Sequence, residues 1–565
     1  MMFRLFRYLS TEVRGLQAAA YVLASAALLS SLLALARDRL LAHIFGAGAT
    51  LDIYYASFRI PDLIFVATGA LVSVYILIPE LAKRLEGEQK KYLDTIILGF
   101  SIFACSVSLL AMIFAPHLLA ILFPQFVVSG ALPTLVILTR IILLQPIFLG
   151  LSNILAAVTQ ARHRYTIYAL SPLLYNLGII VGVGILYPLF GITGLAWGVV
   201  LGAVLHVAVQ APSVIADGFF AHIPRFYYPR ALYETVIVSL PRALALSMSQ
   251  IAFLGLTALA GLLASGSIAI FMLAYNLQAV PLAIIGASYS VAAFPTLASA
   301  HSAGRRDAFL SHVATAARYV FFWSLPATAL MVVLRAHMVR VVLGSGQFDW
   351  TDTRLTAAVF ALLGLSLAAQ GLMLLLVRAY YAAGRTFVPF LISLATAFVT
   401  VMLGIGLTTL FQNPGILGAM QGLMRVSDVP GSMVLALGLA YGIANILGAI
   451  ALVWHFNRRW SGFFKRVSRG WLESAIAAIC AMTAAYVVLY IVGPLEIAST
   501  TLSVFLKGFA GGISGIIVAV VAYYLLGSKE LQETALALRG RFFREAVPPA
   551  AGVALASPQE ETPQS

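Results

Sequence analysis

Three arginines and three carboxylates lie between residues 30 and 62, in a part of the chain that is otherwise apolar enough to lie in lipid. A turn at Gly46–Gly48 separates Arg37, Asp38 and Arg39 from Asp52, Arg59 and Asp62, and the candidates for the site are Arg37, Asp38, Asp52 and Arg59. Charged side chains inside a membrane segment are costly, so they usually face a protein interior or a water-filled cavity. The pattern predicts a helical hairpin whose charges serve a function within the membrane.

The two arginines are predicted to lie at similar depths on the two legs of this hairpin. At a rise of about 1.5 Å per residue, Arg37 is about 13 Å from the turn and Arg59 about 10 Å. Two guanidinium groups at one depth on neighbouring helices predict an anion site within the bilayer. The alternatives are structural: Arg37 pairs with Asp38 or Asp52, and Arg59 is held against Asp52.

Three residues further along the chain are additional candidates for the same site. Arg242 follows Pro241 in an apolar run, and a proline there permits the broken helices found at transporter substrate sites. Alternatively, Arg242 binds the backbone carbonyl that the proline frees. Arg140 either lines the cavity or anchors helix packing, and Asn276 either contacts substrate or only joins neighbouring helices.

The composition assigns the chain to the polytopic helical membrane proteins. Its 565 residues are 61% hydrophobic and 10% charged, with a mean hydropathy of +0.97. Soluble domains have about 25% charged residues. Apolar runs long enough to cross a bilayer recur along the chain, which predicts an all-α fold of about fourteen transmembrane helices.

The net charge of +14 is explained by the position of the basic residues and not by nucleic-acid binding. Every second break between apolar runs is rich in lysine and arginine, and cytoplasmic loops carry this excess. Both termini are therefore predicted to be cytoplasmic. Two breaks on the predicted outer side go against this alternation, because they carry Arg335 and Arg425.

The two halves of the chain contain related segments. Residues 78–82 (Ile-Pro-Glu-Leu-Ala) match residues 294–298 (Phe-Pro-Thr-Leu-Ala) at the ends of corresponding apolar runs. Such repeats predict two parallel six-helix lobes, an arrangement found among alternating-access transporters. The predicted divisions are an N-terminal lobe at 1–230, a C-terminal lobe at 231–460, two additional helices at 461–527 and a partly disordered cytoplasmic tail at 528–565.

Motifs of known enzyme classes are absent from the sequence. It contains no His-Glu-x-x-His pair, no glycine-lysine phosphate loop and no nucleophile elbow, and its histidines do not have metal-ligand spacing. The chain is therefore predicted to be neither an enzyme nor a metal- or cofactor-binding protein.

Several motifs together resemble the MurJ/MviN family of lipid II flippases. They are Ala-Arg-Asp at 36–38, Ile-Phe-Gly-Ala-Gly at 44–48, Phe-Arg-Ile-Pro at 58–61 and the glycine-rich run 194–206. The resemblance implies the fold of the multidrug/oligosaccharidyl-lipid/polysaccharide exporter superfamily. In that fold two six-helix lobes form a V around a cationic cavity, and two more helices make a lipid-facing groove.

The resemblance also implies a function and its partners. The family moves the undecaprenyl-pyrophosphate-linked peptidoglycan precursor, lipid II, from the inner to the outer leaflet of the bacterial cytoplasmic membrane. It implies a monomer that contacts membrane lipids and cell-wall synthesis proteins. Arg37, Asp38, Asp52 and Arg59 match charged positions of the family's first hairpin.

This chain departs from the family pattern at other charged positions. Family arginines fall at Ser31 and at or near Phe65, and a charged cluster falls at Tyr275, Asn276 and Ala279. The cavity is therefore predicted to be less cationic. Some family members resemble sodium binders with carboxylates in helices 7 and 11, which this chain lacks, so sodium coupling is not supported. The alternatives are a flippase for another polyprenyl-linked glycan and a non-transporting scaffold of the cell-wall machinery.

Overall fold

The computed structural model describes residues 16–72, 74–220, 224–494 and 500–542. These residues form helices joined by short turns, with no strand among them. Glycines in the left-handed conformation end or precede several helices, as Gly46 does at a φ of 59° and Gly266 at 90°. The all-α fold predicted from the apolar runs is confirmed.

The first half of the chain contains twelve of the helices among the described residues. They are α1 (Leu16–Phe45), α2 (Ala49–Ser57), α3 (Arg59–Leu71), α4 (Val74–Ala82), α5 (Glu86–Leu122), α6 (Pro124–Val128), α7 (Leu132–Ile142), α8 (Gln145–Ala161), α9 (Tyr165–Val181), α10 (Tyr187–Phe190), α11 (Ile192–Ala208) and α12 (Ala211–Ala216). A π-helical segment, Gly182–Leu186, joins α9 to α10.

The second half follows with twelve more helices in the described part. They are α13 (Pro229–Gly261), α14 (Ser267–Leu282), α15 (Ser288–Ser302), α16 (Arg306–Val342), α17 (Trp350–Gly364), α18 (Leu367–Ala382), α19 (Phe387–Leu410), α20 (Pro414–Met424), α21 (Leu435–Arg459), α22 (Phe463–Val492), α23 (Thr501–Leu525) and α24 (Lys529–Phe542). A π-helical segment, Ala283–Ala287, joins α14 to α15.

Fewer helices than predicted are long and apolar enough to cross a membrane. Eleven described helices are long and apolar enough to cross a bilayer, or twelve if α17 and α18, bent by 43°, form one crossing. The predicted count of about fourteen is not confirmed. Neither α1 nor the segment from α2 to α4 is among them, and α2, α3 and α4 are each too short to cross alone.

The helices α9 and α11 pack with their backbones in contact. A Cβ atom added at Gly178 would overlap the backbone of Gly202, and one added at Gly182, directly after α9, would lie 2.6 Å from the Cα atom of Gly198. Small residues allow this close approach, which is a common means of joining helices in membranes. The first half therefore contains a rigid helix pair, against which α1 packs through α9.

Substitution of Gly178 by alanine is expected to destabilise the protein by about 1–3 kcal/mol, because the new methyl group has no space. Gly184 provides a matched control, since a Cβ atom there would meet nothing within 4 Å. Thermal unfolding of the two purified variants measures the difference. Equal unfolding midpoints would show that the two backbones are not in rigid contact.

The helices after residue 460 pack on the second half of the chain. Both α22 and α23 contact α16, and the hydroxyl of Tyr523 donates to the carbonyl of Phe322 at 2.7 Å. Helix α24 is attached by an ion pair of 2.6 Å between Arg318 and Glu530. The predicted tail thus begins as a docked helix, and residues 543–565, where disorder is predicted, lie outside the described residues. The predicted divisions at 230, 460 and 527 stay predictions.

Candidate functional site

Two adjoining cavities lie where the two halves of the chain meet. The larger, of about 290 Å³, lies between α3 and the second-half helices α13, α14, α19 and α21. The smaller, of about 180 Å³, lies between α1, α2, α3, α9 and α14. Both are lined by the same four residues, which make them parts of one site: Arg59, Asp62, Met272 and Asn276.

Arg37 lines the smaller cavity and is held by two partners. Its guanidinium group contacts Asp38 Oδ1 at 2.8 Å and donates to Asn176 Oδ1 at 3.1 Å. Asn176 is in turn positioned by donating to the carbonyl of Pro172 in its own helix at 3.1 Å. Arg37 therefore lines the smaller cavity and also forms the alternative ion pair with Asp38, and its substrate contact stays a prediction.

Asp38 joins the two halves of the chain. Its other carboxylate oxygen accepts a hydrogen bond of 3.0 Å from Asn276 Nδ2 on α14. The carboxylate is buried, with 3% of its side chain exposed, and its two oxygens serve Arg37 and Asn276. This chain of contacts brings three of the predicted site residues together.

Arg59 lies at the boundary of the two cavities. It is buried and donates to the carbonyl of Tyr55 at 3.2 Å, and its guanidinium group lies 5.0 Å from the ring centre of Phe253. Its ion-pair partner is Asp62, one helical turn further on, at 3.3 Å. The alternative pairing with Asp52 is wrong, because Asp52 has other partners.

The two arginines are thus neutralised by carboxylates in this conformation. Asp62 differs from Asp38 because 28% of its side chain is exposed, and it lines both cavities. A long ion pair with one partly exposed partner is screened by solvent and is weaker than a short one. Asp62 is therefore the carboxylate that an incoming anion can most readily displace.

Among the described residues, the wall of the larger cavity contributed by the second half carries no charged side chain. It offers hydroxyl and amide groups, which hydrogen-bond without adding charge. These polar residues are Ser249, Gln250, Tyr275, Ser393, Thr396, Thr400, Tyr441 and Asn445. Helix α19 supplies three of them, and its opposite face is exposed, including the large side chain of Phe398.

Asp52 lies outside both cavities, at the end of the molecule that holds the Gly46–Gly48 turn, here called the turn end. It accepts hydrogen bonds from the backbone amides of Gly266 at 2.6 Å and Ala269 at 2.8 Å. These amides belong to the first turn of α14, where a negative charge is stabilised by the helix dipole. Asp52 therefore caps a helix of the other half of the chain.

Further contacts join the two halves at the turn end. Arg39 donates to the carbonyls of Val341 and Val342 in the last turn of α16, at 2.6 and 3.2 Å. The amide of Ala47 donates to Asp352 at 3.0 Å. Together with the cap by Asp52, these contacts hold the two halves of the chain against each other at the turn end.

The described contacts bring neither Arg140 nor Arg242 to a cavity. Arg140 is exposed and donates to the carbonyl of Met112 at 3.0 Å, which is the packing-anchor alternative. Arg242 lies on the continuous helix α13, but its side chain, like that of Pro241, is outside the described residues. The proposed substrate contact of Arg242 stays a prediction.

Three residues of the site were not among the candidates from the sequence. Asp62 has a signal, since its spacing of three from Arg59 on a helix favours an ion pair. Asn176 and Arg39 have none, because their partners lie more than a hundred residues away. Only the tertiary structure reveals their roles.

The family model described as lipid II flippase MurJ matches residues 41–508. The chain belongs to this family. The probable lipid II flippase MurJ of Buchnera aphidicola subsp. Schizaphis graminum is 27% identical over 399 residues, covering 69% of this chain and 77% of the relative. Lipid II flippase MurJ of Burkholderia cenocepacia is 24% identical, covering 66% and 74%.

Solved structures agree on the fold. A lipid II flippase MurJ in an inward closed conformation matches with a TM-score of 0.70 and 20% identity, covering 90% of this chain and 99% of that chain. An inward-facing multidrug resistance MATE family transporter matches with a TM-score of 0.60 and 16% identity, covering 77% and 96%. The family and the transporter fold predicted from the sequence are confirmed.

Proposed function

We propose that the protein is a lipid II flippase, which moves the undecaprenyl-pyrophosphate-linked peptidoglycan precursor across the bacterial cytoplasmic membrane by alternating access. The observation that carries this proposal is the pair Arg37 and Arg59 in adjoining cavities between the two halves. A pyrophosphate cannot cross hydrocarbon unpaired, and guanidinium forks match its oxygens. The curated relatives named above carry the same activity in their names.

The charges of the site favour a definite binding order. With cargo absent, Asp38 and Asp62 neutralise the two arginines. The pyrophosphate first displaces the more exposed Asp62 from Arg59, while Asp38 stays fixed between Arg37 and Asn276. The uncharged hydroxyl and amide wall of the larger cavity then hydrogen-bonds the sugar and peptide groups of the cargo.

The surroundings of the protein are part of the proposal. It lies in the bacterial inner membrane with both termini in the cytoplasm, as a transporter and not an enzyme. It acts as a monomer, and its basic loops are available to cell-wall synthesis proteins. The polyprenyl tail of the cargo stays in the bilayer while the head group passes through the cavity.

Complementation tests the cargo directly. The wild-type chain is expected to restore growth to a bacterium depleted of its own lipid II flippase, whereas Arg37→Ala at equal membrane expression is not. Arg140→Ala provides a control, because Arg140 lies outside the described cavities and contacts a backbone carbonyl. Rescue by every variant would contradict the arginine site. Failure of a well-expressed wild-type chain would favour another polyprenyl-linked glycan as cargo.

A further inference from the structure

Two arginines at the turn end lie apart from the transport site. Arg335, near the end of α16, donates to the carbonyl of Met424 at 3.3 Å and to that of Val332 at 2.9 Å. Arg425, the residue after Met424, ends α20 in the left-handed conformation with a φ of 58°. Its guanidinium group donates to the hydroxyl of Tyr486 at 3.4 Å. Helices α16, α20 and α22 therefore bring two cations together.

Neither arginine has a carboxylate partner among the described residues. The nearby carboxylates are already engaged. Asp428 accepts two hydrogen bonds of 2.6 Å from Arg354, which hold its pKa below the usual value, and Asp352 accepts from Ala47. The contacts of Arg335 and Arg425 are with uncharged oxygens, so within the described part of the chain two positive charges are left unbalanced.

The surface beside these cations is apolar. Leu423, one residue before the Met424 carbonyl, is 71% exposed, and Tyr490, one turn beyond Tyr486 on α22, is 82% exposed. In a membrane protein such side chains face lipid, and tyrosines gather at the depth of the lipid head groups. The unbalanced charges thus border the part of the bilayer where phosphate groups lie.

We propose that Arg335, Arg425 and the Tyr486 hydroxyl bind the phosphate of a lipid head group at the turn end. A phosphate supplies the missing negative charge and several acceptor oxygens, and two guanidinium groups with one hydroxyl can bind it through charge-assisted hydrogen bonds. The site also explains why Arg335 and Arg425 lie in breaks on the predicted outer side, where the other breaks between apolar runs are poor in cations. It is separate from the cavities and does not depend on the transported cargo.

Native mass spectrometry of the purified full-length chain with dioleoyl-phosphatidylglycerol tests the site. The double variant Arg335→Gln/Arg425→Gln is expected to bind one lipid fewer, or to bind it about tenfold more weakly. Arg162→Gln is the matched control, because Arg162 already pairs with Glu86 at 2.9 Å. Dioleoylglycerol, which lacks a phosphate, is expected to bind equally to all three proteins.

Parallel titrations with undecaprenyl pyrophosphate separate the two sources of a lipid phosphate. A larger loss for this lipid than for phosphatidylglycerol would assign the site to the polyprenyl lipid, and an equal loss would assign it to phospholipids in general. A purely structural role for Arg335, as a cap of α20, would lower the unfolding midpoint and leave lipid binding unchanged. That result, or equal lipid binding by the double variant and the control, would overturn the proposal.

Discussion

Replacing Arg59 with glutamine is expected to weaken binding of undecaprenyl pyrophosphate about tenfold to a hundredfold. The substitution removes the charged fork at the boundary of the two cavities, and charge-assisted hydrogen bonds in a buried site are among the strongest of their kind. Titration of the purified protein with that lipid measures the loss. Arg59→Lys is expected to retain only part of the affinity, because a lysine cannot bind phosphate through two parallel hydrogen bonds.

The partner of Arg59 provides a test in the opposite direction. Asp62→Asn removes the carboxylate that competes with phosphate for Arg59, so tighter binding and slower release of the lipid are expected. Asp217→Asn is the matched control, because Asp217 forms an ion pair with Arg164 at 2.7 Å outside both described cavities. Weaker binding by Asp62→Asn than by the control would show that Asp62 does not compete with the cargo.

Loss of the Asp52 carboxylate is expected to open the turn end of the molecule. Asp52→Ala leaves the amides of Gly266 and Ala269 without their acceptor, at a cost of about 2–4 kcal/mol in the closed form. Ser57, fully buried on α2, reports the opening when replaced with cysteine after Cys105 and Cys480 have been removed. Its reaction with a thiol reagent is expected to be faster in Asp52→Ala.

A second capping carboxylate at the same end is the control for this experiment. Asp349 accepts from the amide of Asp352 at 2.8 Å, entirely within the start of α17, so its loss breaks no contact between the two halves. Asp349→Ala is therefore expected to leave the reaction rate of the Ser57→Cys thiol unchanged. Equal rates in both variants would mean that the cap by Asp52 does not hold the turn end closed.

The sequence alone predicted the fold class, the protein family and the position of the turn in the first hairpin. Gly46 ends α1 in the left-handed conformation, where the glycine-rich turn is predicted, and Arg37 and Arg59 line adjoining cavities on its two legs. These features follow from local pattern, because hydropathy, helix rise and glycine conformation act over a few residues. The pairing of Arg59 with Asp62 also had a local signal.

The roles of Asp52 and Arg39 could not be read from the sequence. Both sit in the charged hairpin, yet each binds a helix end of the other half, more than two hundred residues away. A carboxylate that caps a distant helix and one that contacts substrate have the same local sequence pattern. The same holds for Arg140, whose carbonyl partner appears only when α5 and α7 are packed together.

Helix α19 determines how closely the larger cavity approaches the bilayer. One face lines the cavity with Ser393, Thr396 and Thr400, while Leu391 and Phe398 on its other faces are exposed. The barrier between the cavity and the hydrocarbon is therefore a single helix thick. An amphiphilic inhibitor dissolved in the bilayer would reach Arg59 by displacing α19 sideways, without passing through water on either side of the membrane.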